Sequence, residues 1–282
     1  MGGVFHDRFS PNSDINIIER KTLMRILFIG DVVAPQGCEH LRKMLPAFKK
    51  SQNVDFCIVN GENSAQGNGI LPGSCDYILD SGADLVTSGN HALKRVEIEK
   101  YFDNDNIPLI RPLNFHRSAP GRGCFILENR GLRLGVINLM GRIYMDSVDN
   151  PFDAVDTVLK EWGNMGIKNI LVDFHAEATS EKRVMGFYLD GRVSAILGTH
   201  THTQTADEQI LPCGSAYITD VGMTGVKNSV LGVEIGCASR KVITGLPVHF
   251  KNPEGPCMMN AVVVETDNKT GRAISIERFS IE

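Results

Sequence analysis

Short apolar runs alternate with amphipathic segments along most of the chain. "RILFIG" (25–30) precedes "GCEHLRKMLPAFKK", which has helical spacing despite Pro46, and "VDFCIVN" (54–60) precedes a segment around "GSCDYILDSG". "ADLVTSG" (83–89) precedes "HALKRVEIEKYFDN", and "NILVDFH" (169–175) precedes "ATSEKRVMGFYLDG", after which "VSAILGTH" (193–200) follows. Unbroken apolar runs are the mark of strands covered on both faces, so the alternation predicts a layered α/β fold. Two further pairs predict hairpins: "CFILEN" and "LRLGVINL" across "RG", and "MNAVVVETD" and "RAISIERFSIE" across "NKTG". A mixed sheet, or two facing sheets, therefore fits better than a purely parallel one.

No repeat, low-complexity tract or Pro/Gly linker divides residues 24–282, which predicts one domain. Residues 1–23 are polar and mixed in charge, lack the apolar core of a secretory signal, and read as an extension, tag-derived or disordered, outside the core fold.

Composition narrows the classes. A net charge of −4 with 22% charged residues argues against a nucleic-acid-coating surface or a polybasic membrane patch, though not against a local anion site. No run reaches the roughly 18–20 apolar residues of a membrane span. The seven cysteines form no CxxC pair and several lie inside apolar runs, so they read as reduced core thiols of a cytoplasmic protein rather than a zinc-thiolate site.

The polar residues at the ends of the apolar runs carry the chemistry. Asp31 comes after "RILFIG", Glu62 and Asn63 after "DFCIVN", and Asn90 and His91 after "DLVTSG"; His175 ends "ILVDFH", and His200 and His202 come after "SAILGT". Ligands of open α/β sheets bind beyond the carboxyl ends of strands, so these groups should converge. Singly, each has a bland reading: Asp31 as a helix N-cap, Asn90–His91 as the cap of a helix starting near Ala92, a lone histidine as a hydrogen-bonded core residue. Together they exceed what capping needs. Nitrogen and oxygen donors without thiolates suit manganese, iron or zinc. One catalytic zinc needs about three protein ligands, and the larger number here argues for two ions about 3.5–4 Å apart, with Glu62 placed to bridge them. Such a pair holds and acidifies a water and neutralises charge on a phosphoryl oxygen.

The blocks "GDVV", "NGENSAQGNGI", "TSGNHALK", "DFHAEATSEK", "GTHTHTQTADEQILP" and "YITDVGMTG" resemble, in order, those of the YmdB-like metallophosphoesterases of the calcineurin-like superfamily. The tail "TGLPVHFKNPEGPCMMNAVVVETDNKTGRA" resembles that family as well. The resemblance implies a four-layer αββα sandwich, two metal ions, a small phosphodiester substrate in the form of a cyclic nucleotide (2′,3′ or 3′,5′), and a homo-oligomer. Carried onto this chain, it implies one ion held by Asp31, Glu62, Asn63 and His202 and another by Glu62, Asn90, His175 and His200, with His91 as the general acid or a phosphate contact. The Asp-x-His usual in the superfamily is "DVV" here and the bridging acid is Glu62, so the site is poorer in nitrogen and suits iron or manganese. The chain departs from the family pattern at "ALKR" (Leu93, Lys94), where an aromatic is expected after Gly-Asn-His, and at "APQGCEH" (34–40). Both segments bear on substrate preference rather than on the metals.

Two other classes compete with the enzyme. A catalytically weak metal-binding regulator on the same fold would have no need of His91. An amidohydrolase also uses His-x-His, but near its N-terminus and with an eightfold βα repeat that this chain lacks.

Overall fold

The structure is a computed structural model that describes residues 22–282; the extension expected at 1–23 lies outside the described residues except for its last two. Two mixed sheets face each other. The first is built from β1 (Leu23–Ile29), β2 (Asp31–Val32), β3 (Phe56–Asn60), β4 (Leu85–Thr87), β11 (Met223–Val226), β12 (Cys257–Asp267) and β13 (Ala273–Ile281). The second holds β5 (Cys124–Asn129), β6 (Leu132–Met140), β7 (Asn169–His175), β8 (Ala195–Thr199), β9 (Gln209–Ile210) and β10 (Ala216–Ile218). Their orders are β2-β11-β12-β1-β3-β4, with β13 also on β12, and β5-β6-β7-β8-β10-β9.

The parallel strands β1, β3 and β4 and the parallel strands β6, β7, β8 and β10 are the apolar runs of the sequence. They read as unbroken because both of their faces are covered. Met24, Ile26, Phe28 and Ile58 of the first sheet meet Leu134, Val136, Leu171 and Leu197 of the second in the core between the sheets. The other face of the first sheet packs on α1 (Ala34–Ser51) and α2 (Pro72–Asp80) through Leu41, Leu45, Cys75 and Ile78. The other face of the second packs on α4 (Pro151–Asn164) and α5 (Thr179–Leu189) through Val155, Trp162, Met185 and Leu189. Three cores stacked between four layers give the αββα sandwich.

Both hairpins form. β5 and β6 are joined by Arg130 and Gly131, both at positive φ, the conformation that matches the twist of the flanking strands. Two helical readings change. The segment after Asn90 is not a continuous helix: residues 90–95 run through turns, followed by a short 3-10 turn (Val96–Ile98) and the single-turn α3 (Glu99–Phe102). The turns keep His91 N–H on Glu62 and let Arg95 donate to the carbonyls of Gln66 and Asn68, contacts that a straight helix from Ala92 would pull apart. Conversely, "PFDAVDTVLKEWGN", left unmarked by the strand–helix alternation, forms α4. Asn150 Oδ1 caps it by accepting from Phe152 N–H, Pro151 occupies the first turn, and Val155, Val158 and Trp162 face the core.

Candidate active site

The parallel strands of both sheets end at one edge, where their exits converge. Asp31 is buried at the start of β2, two residues past the end of β1; Glu62 and Asn63 follow β3, Asn90 and His91 follow β4, His175 closes β7, and His200 and His202 follow β8. All eight residues that the strand exits single out are brought together.

Glu62 stands in the middle. Its Oε1 accepts from Asn63 Nδ2 (3.0 Å) and lies 3.2 Å from His175 Nε2, and its Oε2 accepts from the His91 N–H (3.0 Å). Gly89 allows this closeness, since a Cβ there would overlap both the His175 ring and the Glu62 carboxylate. On one side, His175 Nε2 is 2.9 Å from Asn90 Oδ1 and 3.0 Å from His200 Nδ1. On the other, His202 Nε2 is 3.7 Å from Asp31 Oδ1 and 3.3 Å from Asn63 Nδ2.

The tautomers are set from behind. His175 Nδ1 lies 2.9 Å from Thr199 Oγ1, whose own proton goes to Asp173 Oδ1 at 2.7 Å, so the imidazole donates through Nδ1 and turns the lone pair of Nε2 inward. His200 Nε2 is 3.1 Å from Glu177 Oε2, which leaves Nδ1 inward. His202 Nδ1 donates to the Leu231 carbonyl (3.0 Å) and leaves Nε2 inward. Sequence reasoning missed Asp173, Thr199 and the Leu231 carbonyl. Asp173 did carry a signal, as a charged residue inside the apolar run "NILVDFH".

The loop that carries the two histidines is strained. His200 and His202 have φ values of 100° and 61°, a region disfavoured for non-glycine residues. Asp220 holds the loop by accepting from both the N–H (3.0 Å) and the hydroxyl (2.8 Å) of Thr201 through Oδ2. Lys182 Nζ, buried with it, pairs with the same oxygen at 2.8 Å.

These donors fit a cation. The buried Oδ1 of Asp31 has no hydrogen-bond partner among the described residues, a costly state for a carboxylate oxygen that a metal ion would relieve. Glu62, His175 and His200 each offer a ligand atom, all within 4.8 Å of one another. Titration points the same way. Burial disfavours a charged His175, but the Glu62 and Asp31 carboxylates outweigh it and raise its pKa to about 9. Burial and the neighbouring His175 push His200 down to about 3. Burial also opposes ionisation of Glu62, yet His175 and His91 hold it down at about 2, whereas burial raises the Asp31 pKa. The proton that His175 Nε2 shares with Glu62 marks the place a cation would take, after which Nε2 would offer its lone pair.

Asn63 enters the site with its amide nitrogen turned to Glu62 and His202 and its oxygen to His91. A ligand role needs the amide reversed, which would present Oδ1 to an ion. His91 keeps to the rim: Nδ1 is 2.8 Å from Asn63 Oδ1, and Nε2 has no hydrogen bond among the described residues. Burial lowers its pKa, with the Glu62 carboxylate partly opposing. Of the two departures from the family pattern, 34–40 forms the first turns of α1, and Leu93 and Lys94 are exposed on the turn between His91 and Arg95. Among the described residues, no helix is long and apolar enough to cross a membrane.

The family model described as "YmdB-like protein" matches residues 27–279. A Bacillus subtilis protein named 2′,3′-cyclic-nucleotide 2′-phosphodiesterase is 44% identical over 259 residues, covering 92% of this chain and 97% of that protein. A solved Thermus thermophilus structure superposes with a TM-score of 0.85 at 40% identity, covering 91% of this chain and 98% of the other. A solved Mycoplasma pneumoniae structure, described as a novel phosphatase, superposes with a TM-score of 0.85 at 31% identity over 92% of this chain and 93% of its own.

Proposed function

The chain belongs to the YmdB-like family and is a phosphoric diester hydrolase, and from that premise we propose that it uses two divalent ions, iron or manganese with zinc as the alternative, to open the phosphate ring of 2′,3′-cyclic nucleotides. The observation that carries this reading is the ring of inward-facing nitrogens of His175, His200 and His202 around Glu62, with His91 on the rim. The name of the Bacillus subtilis relative supports the 2′,3′ ring, and a 3′,5′-cyclic nucleotide is the second substrate to test. The seven cysteines, all free, are consistent with a reducing, cytoplasmic setting.

Asp31, Asn63 and His202 would hold one ion, Asn90, His175 and His200 the other, and Glu62 would touch both. When bound, the ions supply Lewis acidity towards a phosphoryl oxygen and a water. The chain supplies the rest. Thr199, Glu177 and the Leu231 carbonyl keep three histidines in the tautomer that points a lone pair inward. His91 is anchored through Nδ1 and its own N–H, and with the Asn63 amide reversed for its ligand role, Asn63 Nδ2 would donate to His91 Nδ1 and leave the ring proton on Nε2 for the substrate. In the balanced step, a water oxygen adds to phosphorus, the P–O2′ bond breaks, the departing O2′ takes a proton from His91 Nε2, and the proton released by the water restores His91, leaving a nucleoside 3′-phosphate.

His91→Ala tests this role. The variant should retain its metals and lose roughly 10²–10⁴-fold in rate on a cyclic nucleotide. The loss should be much smaller on a nitrophenyl diester, whose leaving oxygen needs little protonation. Equal losses on both, with metals retained, would make His91 a phosphate contact, and loss of an ion would make it a ligand. No turnover of any phosphodiester by the metal-loaded protein would favour the metal-binding regulator.

A further inference from the structure

Beside the metal-ligating edge lies a cavity of about 740 Å³, lined by Gln66, Asn68, Arg95, Phe250, Lys251 and Asn252 among others. Its walls continue the segments that carry the site. Gln66 and Asn68 lie a few residues past Asn63, and Arg95 lies four past His91. The third wall is tied to the site by hydrogen bonds. His202 donates to the Leu231 carbonyl, the next carbonyl, that of Gly232, accepts from Asn252 Nδ2 (3.2 Å), and Asn252 Oδ1 accepts from Gly67 N–H (3.0 Å).

Both oxygens of a 2′,3′-cyclic phosphate belong to one ribose. The nucleoside therefore extends from the leaving-oxygen side of phosphorus, past His91, and a chain continuing from its 5′-oxygen runs on into the cavity whose wall continues from His91. The volume is large, towards the upper end of the range of about 300–1,000 Å³ for small-ligand sites. Its charged lining is basic: Arg95 and Lys251 with His249, and no acid. Arg95 spends Nε and Nη2 on the Asn68 and Gln66 carbonyls (3.0 and 2.7 Å), which holds its guanidinium in place. Phe250 leaves 45% of its surface exposed, an apolar ring of the kind on which bases stack. A cyclic mononucleotide carries its single phosphate at the metals and has nothing anionic left for Lys251 and Arg95.

Building on the phosphodiesterase reading above, we propose that this cavity is a subsite for a second nucleotide unit, so that the preferred substrate is a short ribonucleotide chain ending in a 2′,3′-cyclic phosphate, with its penultimate phosphate on Lys251 and Arg95 and a base on Phe250. The negative whole-chain charge is compatible with this, because only a chain end enters.

The test compares a cyclic mononucleotide, a dinucleotide ending in a cyclic phosphate and a nitrophenyl diester on the metal-loaded wild type, Lys251→Ala, Lys251→Arg and Phe250→Ala. The wild type should show a lower KM for the dinucleotide than for the mononucleotide. Lys251→Ala should raise the dinucleotide KM roughly fivefold, leaving kcat and the other two substrates unchanged. Its log KM against log salt should flatten by about 0.7 for the dinucleotide, and Lys251→Arg should restore both. Phe250→Ala should also act on the dinucleotide alone. Equal KM values for mono- and dinucleotide in the wild type, or equal effects of Lys251→Ala on both, would overturn the subsite. Binding of the uncleavable dinucleotide 3′-phosphate, measured by fluorescence anisotropy, judges the subsite even if no ester is turned over. In that case a fivefold weaker Lys251→Ala complex upholds the cavity while the hydrolytic reading falls, and unchanged binding removes both.

Discussion

Thr199 Oγ1 lies 2.9 Å from Nδ1 of His175 and joins that ring to the buried carboxylate of Asp173. The hydroxyl both accepts and donates, and so it determines which nitrogen of His175 faces the site. Thr199→Val preserves shape and removes this link. It should weaken metal retention roughly 10–100-fold, the usual effect of losing a partner behind a ligand, while leaving the thermal midpoint nearly unchanged. Thr199→Ser should restore metal retention. Metal titration of the purified variants checks both, and wild-type affinity in the valine variant would remove Thr199 from this role.

Glu62 is the acid that touches both halves of the cluster. Glu62→Gln keeps the shape and removes the charge. The expected outcome is lower occupancy of both ions, not of one, by elemental analysis. A variant with two ions per chain and normal turnover would show that Glu62 does not bridge.

Lys182 and Asp220 form a buried pair whose carboxylate also grips Thr201, between the two strained histidines. Lys182→Met leaves that carboxylate buried without its counter-charge. The loss of stability should be about 3–5 kcal/mol in urea denaturation. The double variant Lys182→Met/Asp220→Asn should recover part of it, because the unpaired charge is gone. A loss below about 1 kcal/mol in the single variant would mean that water reaches the pair.

Burial raises the thiols of Cys38, Cys57 and Cys75 to about 12, from an ordinary value of 9.0. The unfolded chain releases these protons first, so between about pH 9 and 12 it binds fewer protons than the folded one, and stability falls as pH rises through that window. Each thiol adds about 1.4 kcal/mol per pH unit to the slope. Replacing the three by alanine should flatten alkaline unfolding measured by circular dichroism. Native alkylation at neutral pH should modify the exposed Cys213 and leave the metals in place. Metal loss on such treatment would bring thiols into the site.

The amino-acid order alone determined the covered strands, the two hairpins and the polar residue at each strand exit. Both kinds of signal are local: a strand buried on both faces must be apolar along its length, and a ligand at its end must interrupt that run at the last residue or just beyond. Pairwise geometry was decided only in three dimensions. Thr199 and Asp173 become partners of His175 because β7 and β8 lie parallel and adjacent, and Lys182 is buried only because α5 packs beside β8 and leads it to Asp220. Nothing within a few residues of Lys182 distinguishes it from a solvated helix lysine. The segment after His91 shows the opposite case: its local spacing favoured a helix, and the backbone bond from His91 to Glu62, together with the grip of Arg95 on Gln66 and Asn68, overrode it. Propensity contributes tenths of a kcal/mol per residue, whereas several hydrogen bonds to buried or charged groups contribute more, so tertiary contacts decided the path of the chain there.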